Sequence, residues 1–315
     1  MKVGIIGAGN VGSATAFALI IQGIARKVIL IDSNKKRAEA EAQDIAHAAP
    51  FSYAGKIKNG TYKDLEGAKV VIVTAGANQK PKEPRTALLE RNVKIFETII
   101  PKIVKYVPDC ILLIATNPVD IMTAVALKLS GFPHPRVFGS GTILDSARFR
   151  TLLGYHLSVS PKSVHASVMG EHGDSEVLIW SSAVAGTVQV EEFAKQINKP
   201  FTDEIKSQID DKVRNAAYTI IEGKGATFYG IAGALARICQ AISSNEHAVL
   251  NVSVFHDTFE NSRHICLSHP CIIGKYGIIG TLNPHFNTGE HQALAASAAK
   301  IQSFTEQAFH YMQPK

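Results

Sequence analysis

Three groups of residues have types and spacings that could do chemistry. The first is Gly7-Ala8-Gly9-Asn10-Val11-Gly12, a G-x-G-x-x-G placed after an apolar run and opening a helical pattern. In this pattern the first glycine permits a tight turn and the second lets backbone approach a pyrophosphate. The third lets helix pack on strand, and the phosphate sits among unpaired N–H groups at the helix N-terminus. Alone the pattern is weak. Asp32 strengthens it, because it ends the next apolar run 20 residues after Gly12, where a carboxylate would meet the adenosine ribose hydroxyls. Such a carboxylate repels a 2′-phosphate and favours NAD over NADP. Lys35-Lys36-Arg37 pulls slightly the other way, but reads as a solvated helix face with Arg37 near the adenosine at most.

The second group is Leu144-Asp145-Ser146-Ala147-Arg148-Phe149-Arg150, and the third is Gly170-Glu171-His172-Gly173-Asp174. On a helix Asp145 and Arg148 share a face, whereas Arg150 lies about 200° round from Arg148 and points elsewhere. His172 sits between glycines, with little side-chain bulk to cover it. A lone histidine of this kind is bland more often than not; beside a dinucleotide site it gains weight.

These residues need elements to position them. Apolar runs at Lys2–Ile6, Lys27–Ile31, Val70–Thr74, Ile111–Ala115 and Val137–Gly139 read as strands. Their near-continuous apolar character fits a parallel sheet buried on both faces. Helical patterns at Val11–Ile24, Asn34–Ala48, Thr86–Lys105 and Val119–Ser130 lie between them. This βαβα order predicts a doubly wound α/β domain. Two further stretches, Thr74–Arg85 and Ala115–Asp120, fall just past strand ends, where open parallel sheets bind ligands. The second half changes character, with helices expected at Leu144–Leu153, Thr202–Gly223, Phe228–Ser243 and Ala293–Phe309. Strands are expected at Ser163–Met169, Ala248–Phe255 and His264–Ile273. The change of domain is placed near Gly139-Ser140-Gly141, giving a dinucleotide-binding domain over 1–139 and a second, α+β domain over 140–315.

Composition removes several classes of function. Of the 315 residues, 46% are hydrophobic and 19% charged, the opposite of a disordered chain. The net charge of +6 is spread thinly, and no basic stripe with interleaved aromatics suggests nucleic acid. Val3–Ala25 carries no charge, yet its five glycines and its polar residues leave an apolar core too short to span a membrane. Cys110, Cys239, Cys266 and Cys271 are too scattered for a disulfide scaffold or a zinc site, and suit a reduced, cytoplasmic protein.

At this point the chain resembles the family of NAD-dependent lactate and malate dehydrogenases, its allosteric bacterial lactate-specific members most closely. The resemblance runs almost end to end, through GAGNVG, TAGANQKP, RNV, TNPVD, GSGTILDSARFR, GEHGDS and KGAT. It implies a Rossmann domain followed by an α+β catalytic domain, NAD as cofactor and no metal. It implies that His172 exchanges the substrate proton and that Asp145 orients and stabilises its imidazolium. Histidine is the side chain that titrates near neutrality unperturbed. Arg148 matches the anchor of the substrate carboxylate, which a guanidinium can bind bidentately. Arg85 matches the residue that closes over the carbonyl and meets developing negative charge. Asn117 matches the amide on the substrate oxygen, and Thr227 lines the pocket. Gly7, Gly9, Val11, Gly12, Asp32, Arg37, Gly76, Ala77 and Asn117 match cofactor-binding positions.

Within that resemblance Gln79 selects the substrate, since lactate-specific members carry glutamine there and malate-specific members arginine. A second substrate carboxylate opposite a neutral amide lacks a counter-charge, which disfavours oxaloacetate by roughly 10²-fold or more. Arg150 and His165 match a basic subunit-interface site for fructose 1,6-bisphosphate, which implies a homotetramer. The bland readings are an ordinary helix ion pair for Arg150 and an ordinary strand histidine for His165. The chain departs from the pattern at Lys82, where glycine is usual, and at Pro84, where a small hydroxyl residue is usual; both changes stiffen the loop. The histidine-rich segment from His256 to Ser268, with His269 beyond it, lacks ligand spacing and reads as a surface hairpin. The competing readings are a malate or longer-chain 2-hydroxyacid dehydrogenase, an NAD-dependent glycoside hydrolase requiring a metal, and a relative that binds without catalysis.

Overall fold

A computed structural model describes residues 1–53, 55–77 and 85–312, with residues 85 and 86 described by backbone alone. Gln79, Lys82 and Pro84 lie outside the described residues, as does the side chain of Arg85.

The first half alternates strand and helix: β1 (Lys2–Ile6), α1 (Asn10–Ile21), β2 (Lys27–Ile31), α2 (Lys35–Ala48), β3 (Lys56–Asn59), β4 (Val70–Val73), α3 (Arg85–Tyr106), β5 (Ile111–Ile114), α4 (Val119–Ser130) and β6 (Val137–Gly139). The strands pair in parallel in the order β3-β2-β1-β4-β5-β6, the doubly wound arrangement whose ligands bind beyond the strand C-termini. Successive side chains of a strand face opposite sides of the sheet. Val70 and Ile72 accordingly join one core with Leu19 and Ile20 of α1, while Val71 and Val73 join another with Phe96 and Ile100 of α3. With both faces covered, the strands have no need of polar alternation.

The second half holds α5 (Ile143–Leu157), β7 (Val164–Gly170), β8 (Glu176–Ala185), β9 (Val188–Gln189), α6 (Val190–Gln196), α7 (Asp203–Lys224), α8 (Tyr229–Ser244), β10 (Ala248–Phe259), β11 (Ser262–Gly274), β12 (Gly277–Thr281) and α9 (Thr288–Tyr311). The sheet continues from β6 through β10, β11, β7 and β8 to β9, now antiparallel, with β12 on β11. This is the expected architecture, a Rossmann sheet followed by an α+β half. Among the described residues no helix is long and apolar enough to cross a membrane. All four cysteines are buried and none forms a disulfide.

Sequence patterns did not reveal β3, β8, β9, α6 or β12. Lys56-Ile57-Lys58-Asn59 has a single apolar residue because β3 is an edge strand, where charge discourages pairing with another chain.

The reading of the histidine-rich segment as a surface hairpin is corrected. The β10–β11 hairpin sits between β6 and β7 inside the sheet, so Ile265, Cys266 and Leu267 are fully buried and His269 is 2% exposed. Its tip, around Asp257 and His264, meets solvent, as does Val249 near its base. The His256 and His269 rings stack with centroids 5.0 Å apart. Burial holds both imidazoles down to about 4, and for His269 the neighbouring His256 adds to the effect. The unfolded chain therefore binds more protons than the folded one between the ordinary value of 6.5 and about 4. Stability falls as pH drops through that window, by up to about 1.4 kcal/mol per pH unit for each ring. Thermal melts across this range are expected to show Tm declining towards acid, with a shallower decline in His256→Gln. An equal slope in the variant would locate the acid sensitivity elsewhere.

Candidate active site

The glycine run forms the turn from β1 into α1. Gly7 has φ +111°, and a β-carbon there would lie 2.7 Å from both the Ala75 backbone nitrogen and Thr74 Oγ1. A β-carbon on Gly12 would run into the Gly7 carbonyl oxygen. Gly9 differs: a β-carbon there meets nothing within 4 Å. It caps α1 without any side-chain hydrogen bond, so the first N–H groups of the helix are left for an anion, and half-buried Val11 belongs to the same turn.

Asp32, just past the end of β2, accepts hydrogen bonds from Ala8 N (2.7 Å) and Asn34 N (2.8 Å). Its carboxylate is thereby fixed beside the turn. Arg37 reaches across to Asn10 Oδ1 at 3.4 Å. A cavity of about 570 Å³ is lined by Gly7, Asp32, Gly76, Ile95, Thr98 and other residues. The open, uncapped helix end and the carboxylate across from it fit a dinucleotide whose pyrophosphate meets the glycine turn and whose ribose meets Asp32.

Asn92, buried on α3, ties the two loops beyond β4 and β5 together. Its Oδ1 accepts from Ala77 N (2.8 Å) and its Nδ2 donates to the Asn117 carbonyl (2.8 Å). The Asn117–Pro118 peptide bond is cis. Asn92 stands in the RNV motif, yet only the fold reveals its linking position.

A second cavity, of about 270 Å³, is lined by Asn117, Asp145, Arg148, His172, Glu176, Arg214 and others. His172 lies in the short connection from β7 to β8. Gly170 ends β7 at φ +83°, and the next residue, Glu171, donates its N–H to Ser297 Oγ on α9 (2.9 Å). The His172 backbone N–H is held by Asp120 Oδ2 on α4 (2.8 Å). Its Nδ1 meets Asp145 Oδ2 at 2.6 Å, and the other oxygen of Asp145 accepts from Arg148 at 2.8 Å. One carboxylate on the first turn of α5 thus orients two cavity-facing cations.

The electrostatics follow from this packing. Burial alone would lower His172, but the Asp145 carboxylate, with Asp120 and Glu176 further off, raises it to about 9. Burial would raise Asp145, but His172 and Arg148 hold it below the usual carboxylate range. Burial pushes Asp120 up to about 6 against the His172 backbone N–H. The site can therefore keep an imidazolium ready to donate its ring proton, next to a guanidinium that can take a carboxylate. Donor atoms of Asp145, His172 and Glu176 lie within 4.8 Å of one another, close enough for a metal ion. With Arg148 already on Asp145 and a proton held on His172, this cluster suits a proton better than a cation.

The structure thus brings Asn117, Asp145, Arg148 and His172 to one cavity. Thr227, half-buried between α7 and α8, is not among the residues that line it. Gln79 and the Arg85 side chain fall outside the described residues. Arg150 faces away from Arg148, as its helical offset requires, and donates from Nε to the Val164 carbonyl (2.7 Å), beside exposed His165 at the start of β7. Asp120 and Glu176 escaped the sequence reading. Asp120 follows the TNPV turn and Glu176 follows the GEHGDS run, but burial against His172 is a tertiary fact.

Comparison with known proteins agrees with this geometry. Residues 1–139 match the lactate/malate dehydrogenase NAD binding domain, and residues 142–312 match the lactate/malate dehydrogenase alpha/beta C-terminal domain. An L-lactate dehydrogenase from Thermus aquaticus is 55% identical over 298 residues, covering 95% of this chain and 96% of that protein. One from Allorhizobium ampelinum is 52% identical, covering 96% and 97%. The crystal structure of a lactate dehydrogenase from a Medee basin deep-sea metagenome library superposes with a TM-score of 0.95 at 38% identity, covering 98% of each chain. A glycine turn opposite Asp32 and a proton-holding histidine beside an arginine are what hydride exchange with a 2-hydroxy acid needs, and the chain belongs to the lactate/malate dehydrogenase family of NAD-dependent oxidoreductases.

Proposed function

We propose that the protein interconverts pyruvate and L-lactate. The observation that carries this reading is the Arg148–Asp145–His172 chain of contacts in the wall of a small cavity. Arg148 takes the substrate carboxylate through the guanidinium donors that Asp145 does not use. Asn117 donates to the substrate oxygen, and His172 gives that oxygen its proton in reduction or takes it back in oxidation. Asp145 keeps the imidazole oriented and stabilises its charged form. NAD, held by the Gly7, Gly9, Val11, Gly12, Asp32, Arg37, Gly76, Ala77 and Asn117 positions, supplies or accepts the hydride when bound. Arg85 completes the pocket by meeting charge that develops on the carbonyl oxygen, and Thr227 stands outside the cavity wall. Residues 1–139 serve the cofactor and 140–315 the substrate.

The choice of pyruvate rests on Gln79 and on relatives that are named L-lactate dehydrogenases. The same reading includes a homotetramer whose subunits share a fructose 1,6-bisphosphate site at Arg150 and His165. It places the protein in the cytoplasm, in keeping with four unpaired cysteines. The test follows NADH consumption with pyruvate or oxaloacetate, each with and without the bisphosphate. Pyruvate is expected to win by about 10²-fold or more, and Gln79→Arg to move the preference towards oxaloacetate. An unchanged ratio in the variant would sink the role of Gln79, and faster turnover of oxaloacetate by the parent would hand the assignment to malate. Activation by the bisphosphate supports the effector site; indifference to it removes that part of the reading.

A further inference from the structure

Glu176 has no step of its own in the scheme above, yet it lines the cavity at its centre. It is the first residue of β8, paired in the ladder with Gly170 at the end of β7. The strand pairing therefore places its carboxyl back against the His172 connection. It is 4% exposed, it lines the substrate cavity, and its Oε1 has no hydrogen-bond partner among the described residues. A carboxyl oxygen of Glu176 lies within 4.8 Å of the His172 ring nitrogen and of the Asp145 carboxylate. A buried carboxyl oxygen without a partner is unfavourable to fold around, so its position calls for an explanation by function.

We propose that Glu176 is a positioning residue of the reaction, a second carboxyl beside the Asp145–His172 pair that extends the imidazolium form of His172 to higher pH. This rests on the reading of His172 as the proton-exchanging group. The other charged groups around Glu176 are Asp145 and Arg148 from α5 and Arg214 from α7. Asp145 opposes its ionisation and the two arginines favour it. Arg214 is already engaged by Asp210 and by the Asp174 carbonyl. Glu171, on the same connection as His172, is tied to Lys300 at 2.7 Å. Asp120, on α4, faces the His172 backbone. None of these occupies the free oxygen of Glu176.

The sequence of events with pH follows from this packing. Burial first, and the Asp145 charge second, push Glu176 up to about 8, so at neutral pH it is an uncharged acid. Once its proton is lost, the new Glu176 carboxylate holds the His172 imidazolium against loss of its own. Pyruvate reduction needs the imidazolium and so fades as His172 deprotonates; lactate oxidation needs the neutral ring and gains there. The two groups titrate as a pair, and each inflection belongs to both.

The test is a nitrogen NMR titration of His172 in the cofactor-free protein, assigned by comparison with His172→Asn. In Glu176→Gln, which keeps the shape and removes the charge, the His172 midpoint is expected to fall by on the order of one pH unit. The alkaline limb of pyruvate reduction should move down with it. A His172 midpoint that stays where the parent has it overturns the proposal. The parent protein provides an independent check if the variant does not fold. Its His172 signal should show a second inflection where Glu176 ionises, and a single inflection overturns the proposal equally. If His172→Asn retained full turnover, the reading of His172 would fail, while the NMR comparison would still decide whether Glu176 governs its proton.

Discussion

Asp145→Asn is expected to lower the rate of pyruvate reduction at neutral pH by about 10²–10⁴-fold, the range associated with loss of a positioned proton donor. Two contacts go together. The 2.6 Å bond from the carboxylate to His172 Nδ1 loses its charge, and Arg148 loses the oxygen that accepts from it at 2.8 Å. Burial is the largest influence on His172 and acts to lower it; the Asp145 charge is the chief force holding it at about 9. Without that charge the ring loses its proton within the working range. As pH falls towards its new midpoint the variant should recover, gaining up to tenfold in reduction per unit, and level off below that midpoint, while the parent stays flat. The loss should appear in kcat more than in KM, because Arg148 keeps its charge for the substrate carboxylate. A pH–rate profile parallel to the parent's would show that Asp145 does not govern the proton on His172.

Gly12→Ala is expected to act on the fold as a whole. Its β-carbon would overlap the Gly7 carbonyl oxygen and approach Thr74 Oγ1 to 2.9 Å. Gly7 has no freedom to retreat, since a side chain of its own would already meet Ala75 and Thr74. The helix must therefore lift from the sheet. Overpacking of this kind costs about 1–3 kcal/mol, and a clash with backbone belongs at the upper end. The neighbouring Gly9→Ala separates stability from binding. Its β-carbon meets nothing within 4 Å, so the fold should hold while the approach of a pyrophosphate is obstructed. Loss of one charged hydrogen bond there corresponds to about 10–150-fold in NADH affinity. The expected pattern is a lowered Tm for Gly12→Ala, and for Gly9→Ala an unchanged Tm with weakened NADH binding. Equal melting of the two variants would refute this division of labour between the glycines.

Most of the first half was legible in the sequence because its signals are local. A buried parallel strand announces itself by apolar β-branched runs such as Val70-Val71-Ile72-Val73, and the glycine turn by its spacing. Asp145 and Arg148 could be placed on one helix face by counting. What the sequence could not show was proximity between distant segments. Asp120 looks like an ordinary acid on a first helical turn until α4 is seen beneath the His172 backbone. Glu176 looks like the polar start of a strand. The β10–β11 hairpin misled for the same reason: histidines suggest solvent, and only the pairing with β6 and β7 shows that the hairpin is interior. Gln79, to which we assign the preference between substrates by charge and sequence, lies outside the described residues.

That hairpin has a wider consequence. Ser253 of β10 pairs with Gly139 of β6, and Ser268 of β11 pairs with Gly170 of β7, so one sheet runs unbroken from the cofactor strands to the strand that ends beside His172. The hairpin works as a fixed gauge block, setting the spacing between the strands that carry the glycine turn and the connection that carries His172 once for the whole molecule. Bulk is barred at one end of the block, because a side chain on Gly139 would press on Thr123 Oγ1 and Ser253. The two ends of the molecule can therefore be retooled separately, the nucleotide preference around Asp32 and the acid preference around the small cavity, with the working distance between them held constant.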